Sequence, residues 1–146
     1  MSKPFSKKKD AYQRHFIKLP SDLSHYIYHK EVKAEMMYLY ALIVDYLNED
    51  EFGYAFPNVD TLALKYGKST RTTNAHLKIL RDVGLIEFIE GTMYGRAYVP
   101  YEPLEADDFY GKYPDAWDAY KSNIKKLEYE RAQARIRMQT YRDKQD

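Results

Sequence analysis

The stretch Leu62-Ala63-Leu64-Lys65-Tyr66-Gly67-Lys68-Ser69-Thr70-Arg71-Thr72-Thr73-Asn74-Ala75-His76-Leu77-Lys78-Ile79-Leu80-Arg81-Asp82-Val83-Gly84-Leu85-Ile86 decides the fold. Just ahead of it, Asn58 offers a side-chain oxygen as an N-cap, and Val59, Leu62, Ala63 and Tyr66 fall at i, i+3, i+4 and i+7. That spacing predicts a two-turn helix with one apolar face. Gly67 follows directly, where a left-handed backbone is wanted and glycine takes it without steric cost. Ser69 suits the cap of a second helix, on which Thr73, Leu77 and Leu80 lie on one side as it runs to Val83-Gly84. Two helices are joined by a tight glycine turn.

After Gly84 the pattern changes from helical to extended. Leu85 to Glu90 and Arg96 to Pro100 are β-rich runs, separated by Gly91-Thr92-Met93-Tyr94-Gly95, and so predict a hairpin. Upstream, Val32, Met36, Tyr40, Ile43 and Leu47 recur at steps of three and four and predict a helix over 31–48. Before that, Phe16-Ile17-Lys18-Leu19-Pro20 is a short apolar entry, and Ser21 can cap a brief helix from Asp22 to about His29. Residues 48–53 end the long helix, and Tyr54-Ala55-Phe56-Pro57 reads as an extended connection. Beyond Pro103 lies an acidic, aromatic linker, and Pro114 is well placed to open a last helix reaching toward Lys144. The expected organisation is a flexible basic arm over 1–14, one domain over 15–101, the linker over 102–113 and the last helix over 114–146. The fold class is mostly α with a small β-hairpin.

The order helix, helix, turn, helix, hairpin resembles bacterial winged helix-turn-helix DNA-binding proteins over about residues 31–101. Small Ala63 lets two helices approach, Gly67 makes the turn, and Gly84-Leu85-Ile86 leads into the first strand of the wing. Lys68 and Thr73 depart from the family habit, because a Val or Ile commonly packs at such positions. Phe16 to Pro20 and Gly53-Tyr54-Ala55-Phe56-Pro57 are similar to the amino-terminal domains of phage and plasmid replication initiators, including the DnaD-like group. The resemblance implies double-stranded DNA as the partner, with the second helix of the pair as the reader.

On that helix Arg71, Asn74, Ala75 and Lys78 share the face opposite Thr73, Leu77 and Leu80. Arg can hold guanine O6 and N7 with two hydrogen bonds, Asn can do the same to adenine N6 and N7, and an Ala methyl can touch thymine. Ser69 and Thr70, beside the free amides of the helix start, suit a phosphate, and Lys68 adds charge there. Tyr94 and Arg96 in the wing are candidates for the minor groove or backbone. The chain carries 23 basic and 22 acidic residues, but they lie in blocks. Residues 1–18, 65–82 and 119–146 are basic, whereas 19–64 and 101–118 hold the acid, so a polyanion meets an asymmetric field. Each basic block taken alone could equally be a solvated face.

The last helix presents Trp117, Tyr120, Ile124, Leu127, Arg131, Ala134, Met138 and Tyr141 at alternating steps of three and four. Two readings stand. Either this is a heptad seam for a homodimer, with Trp117, Tyr120, Ile124, Leu127 and Met138 as its anchors, or Trp117 and Tyr120, with or without Ile124, dock on the domain and the rest is a solvated basic tail. Most of the sixteen tyrosines occupy packing positions. The absence of cysteine excludes disulfides and thiolate zinc sites and suits a reducing compartment, and no apolar run has the length of a signal peptide or a membrane span. A cytoplasmic protein is expected. His25 and His29 share a helix face without a carboxylate to complete a metal site, and Gly67-Lys68-Ser69 lacks the earlier glycine of a phosphate loop. No metal, cofactor or catalytic site is expected. The leading reading is a transcription regulator, which the short chain favours. The alternatives are a replication-initiation or replisome-organising factor and a protein-interaction module, with a transcription or replication protein as a further possible partner.

Overall fold

The computed structural model describes residues 2–7 and 15–145. Part of the arm expected over 1–14, including Lys8 and Lys9, lies outside the described residues. The elements run α1 (Leu23–Tyr26), α2 (Met36–Asp45), α3 (Val59–Tyr66), α4 (Thr70–Asp82), β1 (Ile86–Thr92), β2 (Gly95–Pro100), α5 (Ala106–Lys112) and α6 (Pro114–Gln145). This is a mostly helical winged helix-turn-helix with a long last helix. Among the described residues, no helix is long and apolar enough to cross a membrane.

Local chemistry sets the α3–α4 junction. The Asn58 side chain accepts a hydrogen bond from the Thr61 amide at 2.8 Å, which satisfies one orphan donor at the start of α3. At the other end Gly67 takes φ +74°, and the amides of Gly67 and Lys68 both donate to the Ala63 carbonyl, at 2.9 and 3.3 Å. Two residues later the Ser69 hydroxyl accepts from the Thr72 amide at 3.1 Å and starts α4. Five residues after α3 ends on one axis, the chain is already climbing a second helix.

The inner face of α4 packs into the middle of the molecule. Leu77 and Leu80 are fully excluded from water together with Met36, Leu39 and Ile43 of α2, Leu62 of α3, and Leu85. Gly84 then reverses the chain with φ +83°, and the Leu85 amide donates to the Leu80 carbonyl at 2.9 Å. The antiparallel pair β1–β2 follows in the register Ile86↔Pro100, Phe88↔Tyr98 and Ile89↔Ala97, with an irregularity before Thr92↔Gly95. Tyr54-Ala55-Phe56-Pro57, expected as a plain connection, adds a short third rung to this sheet: Ala55 and Tyr98 exchange both backbone hydrogen bonds, at 2.8 and 2.7 Å.

Three expectations change. The helix over 31–48 contracts to α2, because Met36 and Met37 donate to carbonyls only three residues back, in tight turns, and Asn48 is taken up by a bridge to Tyr54. The helix expected to His29 ends at Tyr26 and continues as turns. Residues 102–113, expected as a linker, carry α5, whose Phe109 is completely buried with its ring 4.4 Å from that of Tyr26.

Two tyrosine hydroxyls close this end of the molecule. Tyr26 Oη accepts from the Leu104 amide at 2.8 Å, and Tyr40 Oη donates to the Tyr101 carbonyl at 2.6 Å. Burial raises both phenol pKa values, Tyr40 to about 12, so both hydroxyls keep their protons across the physiological range. Because α5 supplies a core side chain, Phe109→Ala is expected to cost about 3–5 kcal/mol in urea denaturation. A loss under about 0.5 kcal/mol, the size of an ordinary surface change, would return 102–113 to the status of a linker.

Candidate nucleic-acid interface

Arg71, Ala75 and Lys78 are exposed on α4 and Asn74 is half-buried beside them, one helical stripe opposite the buried Thr73, Leu77 and Leu80. Among the described residues, none hydrogen-bonds or ion-pairs with the side chains of Arg71, Asn74 or Lys78. The donors of this stripe face water. At the helix start the Ser69 hydroxyl is occupied by its capping bond, and Thr70 Oγ1 lies 3.4 Å from Asp60 Oδ1 of α3.

The other basic groups nearby are engaged. Lys68 Nζ is 3.0 Å from Glu35 Oε2, and that contact is the main reason the Glu35 carboxyl stays below its ordinary pKa. Lys65 lies over the Tyr46 ring at 4.8 Å. Arg96 Nε pairs with Glu90 at 3.0 Å while its guanidinium covers Phe88 at 4.7 Å; Arg81 approaches the same ring at 4.9 Å and contacts Asp82 at 3.3 Å. Two guanidiniums on one ring tie the end of α4 to the base of the wing.

At the wing tip Thr92 Oγ1 donates to the Gly95 carbonyl at 2.5 Å and accepts from the Tyr94 amide at 3.2 Å, while Met93 points outward, 85% exposed. Tyr94 stacks on Phe56, with centroids 4.3 Å apart and an interplanar angle of 14°, and Phe52 meets both edge-on. Sequence reading singled out Tyr94 but not its supports. The density of aromatics in 52–56 was the available signal, and only a tertiary contact shows that they stiffen the wing.

Beneath the exposed stripe, the join between α3 and α4 is partly polar. Thr73 is fully buried and its hydroxyl has no hydrogen-bond partner among the described residues. His76 is also buried, with Nδ1 2.9 Å from Tyr66 Oη. Burial pushes the Tyr66 phenol up to about 12, so its proton stays in that hydrogen bond. Neither Tyr66 nor His76 was marked by the sequence as a pair. Their spacing of ten residues spans the turn, and only the turn geometry brings them together.

The remaining predicted positions separate into two groups. Trp117 and Tyr120 lie against their own domain: Tyr110 is 5.2 Å from Trp117 and 5.7 Å from Tyr120, and Tyr28 meets Tyr120 edge-on at 5.1 Å. Ile124, Leu127 and Met138 stand exposed along α6. His25 and His29 are half-buried against Tyr110 and Tyr113, with ring centroids at 5.5 and 4.8 Å.

Residues 34–86 match a family model described as a helix-turn-helix domain. The match begins just before α2 and ends at the first residue of β1, so it takes in the three helices that build the stripe. The chain contains a helix-turn-helix domain. No curated protein and no solved structure matches the chain.

Two outcomes test the join. An unsatisfied buried hydroxyl costs about 1–3 kcal/mol, so Thr73→Val should raise stability by about 1 kcal/mol in urea titration; a loss of stability would mean that the hydroxyl has a partner in solution. Burial is the main reason the His76 imidazole titrates below its ordinary 6.5; Lys33 and Lys68 act in the same direction and Glu35 opposes them. The fold holds the neutral ring, while the unfolded chain takes up the proton first as the pH falls. The stabilisation is therefore complete above about pH 6.5 and is lost as the pH drops from there toward the folded-state value. His29 shifts the same way, chiefly through burial. The urea midpoint should fall between about pH 7.5 and about pH 5.5, and fall less in His76→Gln. An equal fall in the variant would assign the effect to other groups.

Proposed function

We propose that this protein acts by binding rather than catalysis, reading double-stranded DNA with α4 in the major groove, and that it serves as a sequence-specific transcription regulator. One observation carries the reading. Around the turn and wing, Lys68, Arg81 and Arg96 are held by acids of the same chain, whereas the α4 stripe keeps Arg71, Asn74 and Lys78 unengaged. A stripe whose donors are left to water is the arrangement that exchanges water for base edges at least cost.

The helix is 13 residues long, about 20 Å, and the major groove admits an α-helix end-on or along its floor. Arg71 and Asn74 are the two bidentate readers of the stripe, Ala75 offers a methyl, and Lys78 reaches phosphate. Met93 and Tyr94 at the wing tip are placed to follow the backbone or minor groove, with Tyr94 braced by Phe56. Exposed Lys3 and Lys7 add phosphate contacts of the nonspecific kind. Ser69 and Thr70 contribute through the amides of the helix start more than through their hydroxyls, which are already engaged.

Selection of bound sequences from a random pool, followed by gel-shift titration, tests the assignment. Arg71→Ala and Asn74→Ala are each expected to cost about 1–3 kcal/mol and to relax preference at one or two base pairs, while Lys78→Ala weakens all sequences alike and flattens the salt slope by about 0.9. Wild-type affinity in both Arg71→Ala and Asn74→Ala would remove α4 from base reading. Footprints at iterated repeats in place of promoters would replace the regulatory role with a replication one.

A further inference from the structure

Among the described residues, the last helix has a face without a partner. α6 is 32 residues long, about 48 Å, and among the described residues its ring contacts with the rest of the chain lie in its first two turns, with Ala132 and Gln133 half-buried further along. Past Lys121 the stripe Ile124, Leu127, Met138 and Tyr141 is 38–61% exposed. Among the described residues, none ion-pairs with Glu128, Glu130, Arg135 or Arg137, which flank that stripe. A single helix of this kind is marginal in water, and most helical stability comes from packing an apolar face.

We propose that a second copy of this chain covers the face, with its α6 running antiparallel and centred between Ala132 and Gln133. The charges choose this arrangement. With Ile124 level with the partner's Tyr141, Leu127 falls opposite the partner's Met138 and Arg131 opposite the partner's Ala134, where a small side chain leaves the guanidinium room to reach water. Along the two edges, Glu128 then faces the partner's Arg135 and Glu130 faces the partner's Arg137. Twofold symmetry doubles both, giving four complementary contacts. Like charges meet at the outermost turns, Lys121 with the partner's Arg142, where solvent screens them, and at the centre, where Arg131 and its copy lie in adjacent layers about 4.5 Å apart along the axis and diverge toward opposite edges.

The rival arrangements have fewer complementary edge contacts and more like-charge ones. Parallel helices would set Arg131 against its own copy in the seam and Arg137 beside Arg142. Sliding the antiparallel pair by one heptad toward the domain would bring Glu128 to Glu128 and Glu130 to Glu130, and would require Tyr120 to leave Tyr28 and Tyr110. The proposed register uses the part of the seam that the domain does not. With four large apolar side chains from each copy and two arginines at the centre, the association falls at the weak end of specific interfaces, in the micromolar range.

The absence of cysteine makes single engineered thiols diagnostic. Residue 127 lies level with 138, eleven positions from its own copy, about 16 Å, which is beyond disulfide reach. Under mild oxidation of the full chain, Leu127→Cys alone and Met138→Cys alone should stay monomeric on denaturing gels, whereas their mixture should cross-link. Sedimentation without cross-linking supplies an independent arm: Glu128→Arg and Arg135→Glu should each weaken association by about tenfold, and the two together in one chain should restore it. Self-linking of either single-thiol variant, failure of the charge exchange to restore pairing, or a wild-type chain that remains monomeric at about 100 μM would each overturn the proposal. None of these measurements involves DNA, so their outcome stands apart from the DNA-binding reading.

Discussion

The exclusion of Leu77 and Leu80 from water is the constraint on which the rest of the molecule depends. These two side chains fasten one face of α4 to α2, α3 and the start of the hairpin, and the opposite face is thereby turned outward with a fixed azimuth. Burying two leucines is worth about 3–6 kcal/mol by transfer energies, enough to carry the cost of the imperfect polar contacts beside them. The buried Thr73 hydroxyl and the Tyr66–His76 hydrogen bond sit in that margin. Both weaken or complicate the join without redirecting the helix.

The parts legible in the sequence were those governed by local rules. The Asn58 and Ser69 caps, the glycine turn and the span of α3 followed from spacing and backbone preference alone, and the outward stripe of α4 followed from its buried counterpart. What stayed hidden depended on contacts distant in the chain. Residues 102–113 look like a linker because their acid and aromatic content has no helical period of any length, yet α5 forms because Phe109 finds Tyr26, eighty-three positions away. Tyr40 and Tyr26 read as packing residues, and their hydroxyls proved to be the fasteners that bind Tyr101 and Leu104 to the front of the domain. Lys68 and Thr73, which depart from the resemblance, resolved differently: Lys68 found Glu35 across the turn, while Thr73 found nothing.

Charge is distributed with the same economy. Counting basic residues in blocks suggested that the whole 65–82 segment was available to a polyanion, but several of its cations are committed within the chain. Phe88 collects two guanidiniums and so converts them from free charges into a brace between helix and wing. The field presented outward by the domain is narrower than the composition implied, because Lys68, Arg81 and Arg96 sit beside acids of the same chain.

The ring of aromatics around the first turns of α6 makes that helix a lever arm. Tyr28, Tyr110, Trp117 and Tyr120 form its bearing, all at ring separations of 5.1–5.7 Å. From Tyr120 to Gln145 the arm is about 37 Å long, so a tilt of about 5° at the bearing moves the far end by about 3 Å. Two of these contacts are stacked and two are crossed. A repacking in this bearing too slight to disturb α4 would still be read at the other end of the helix as a displacement the width of an atom.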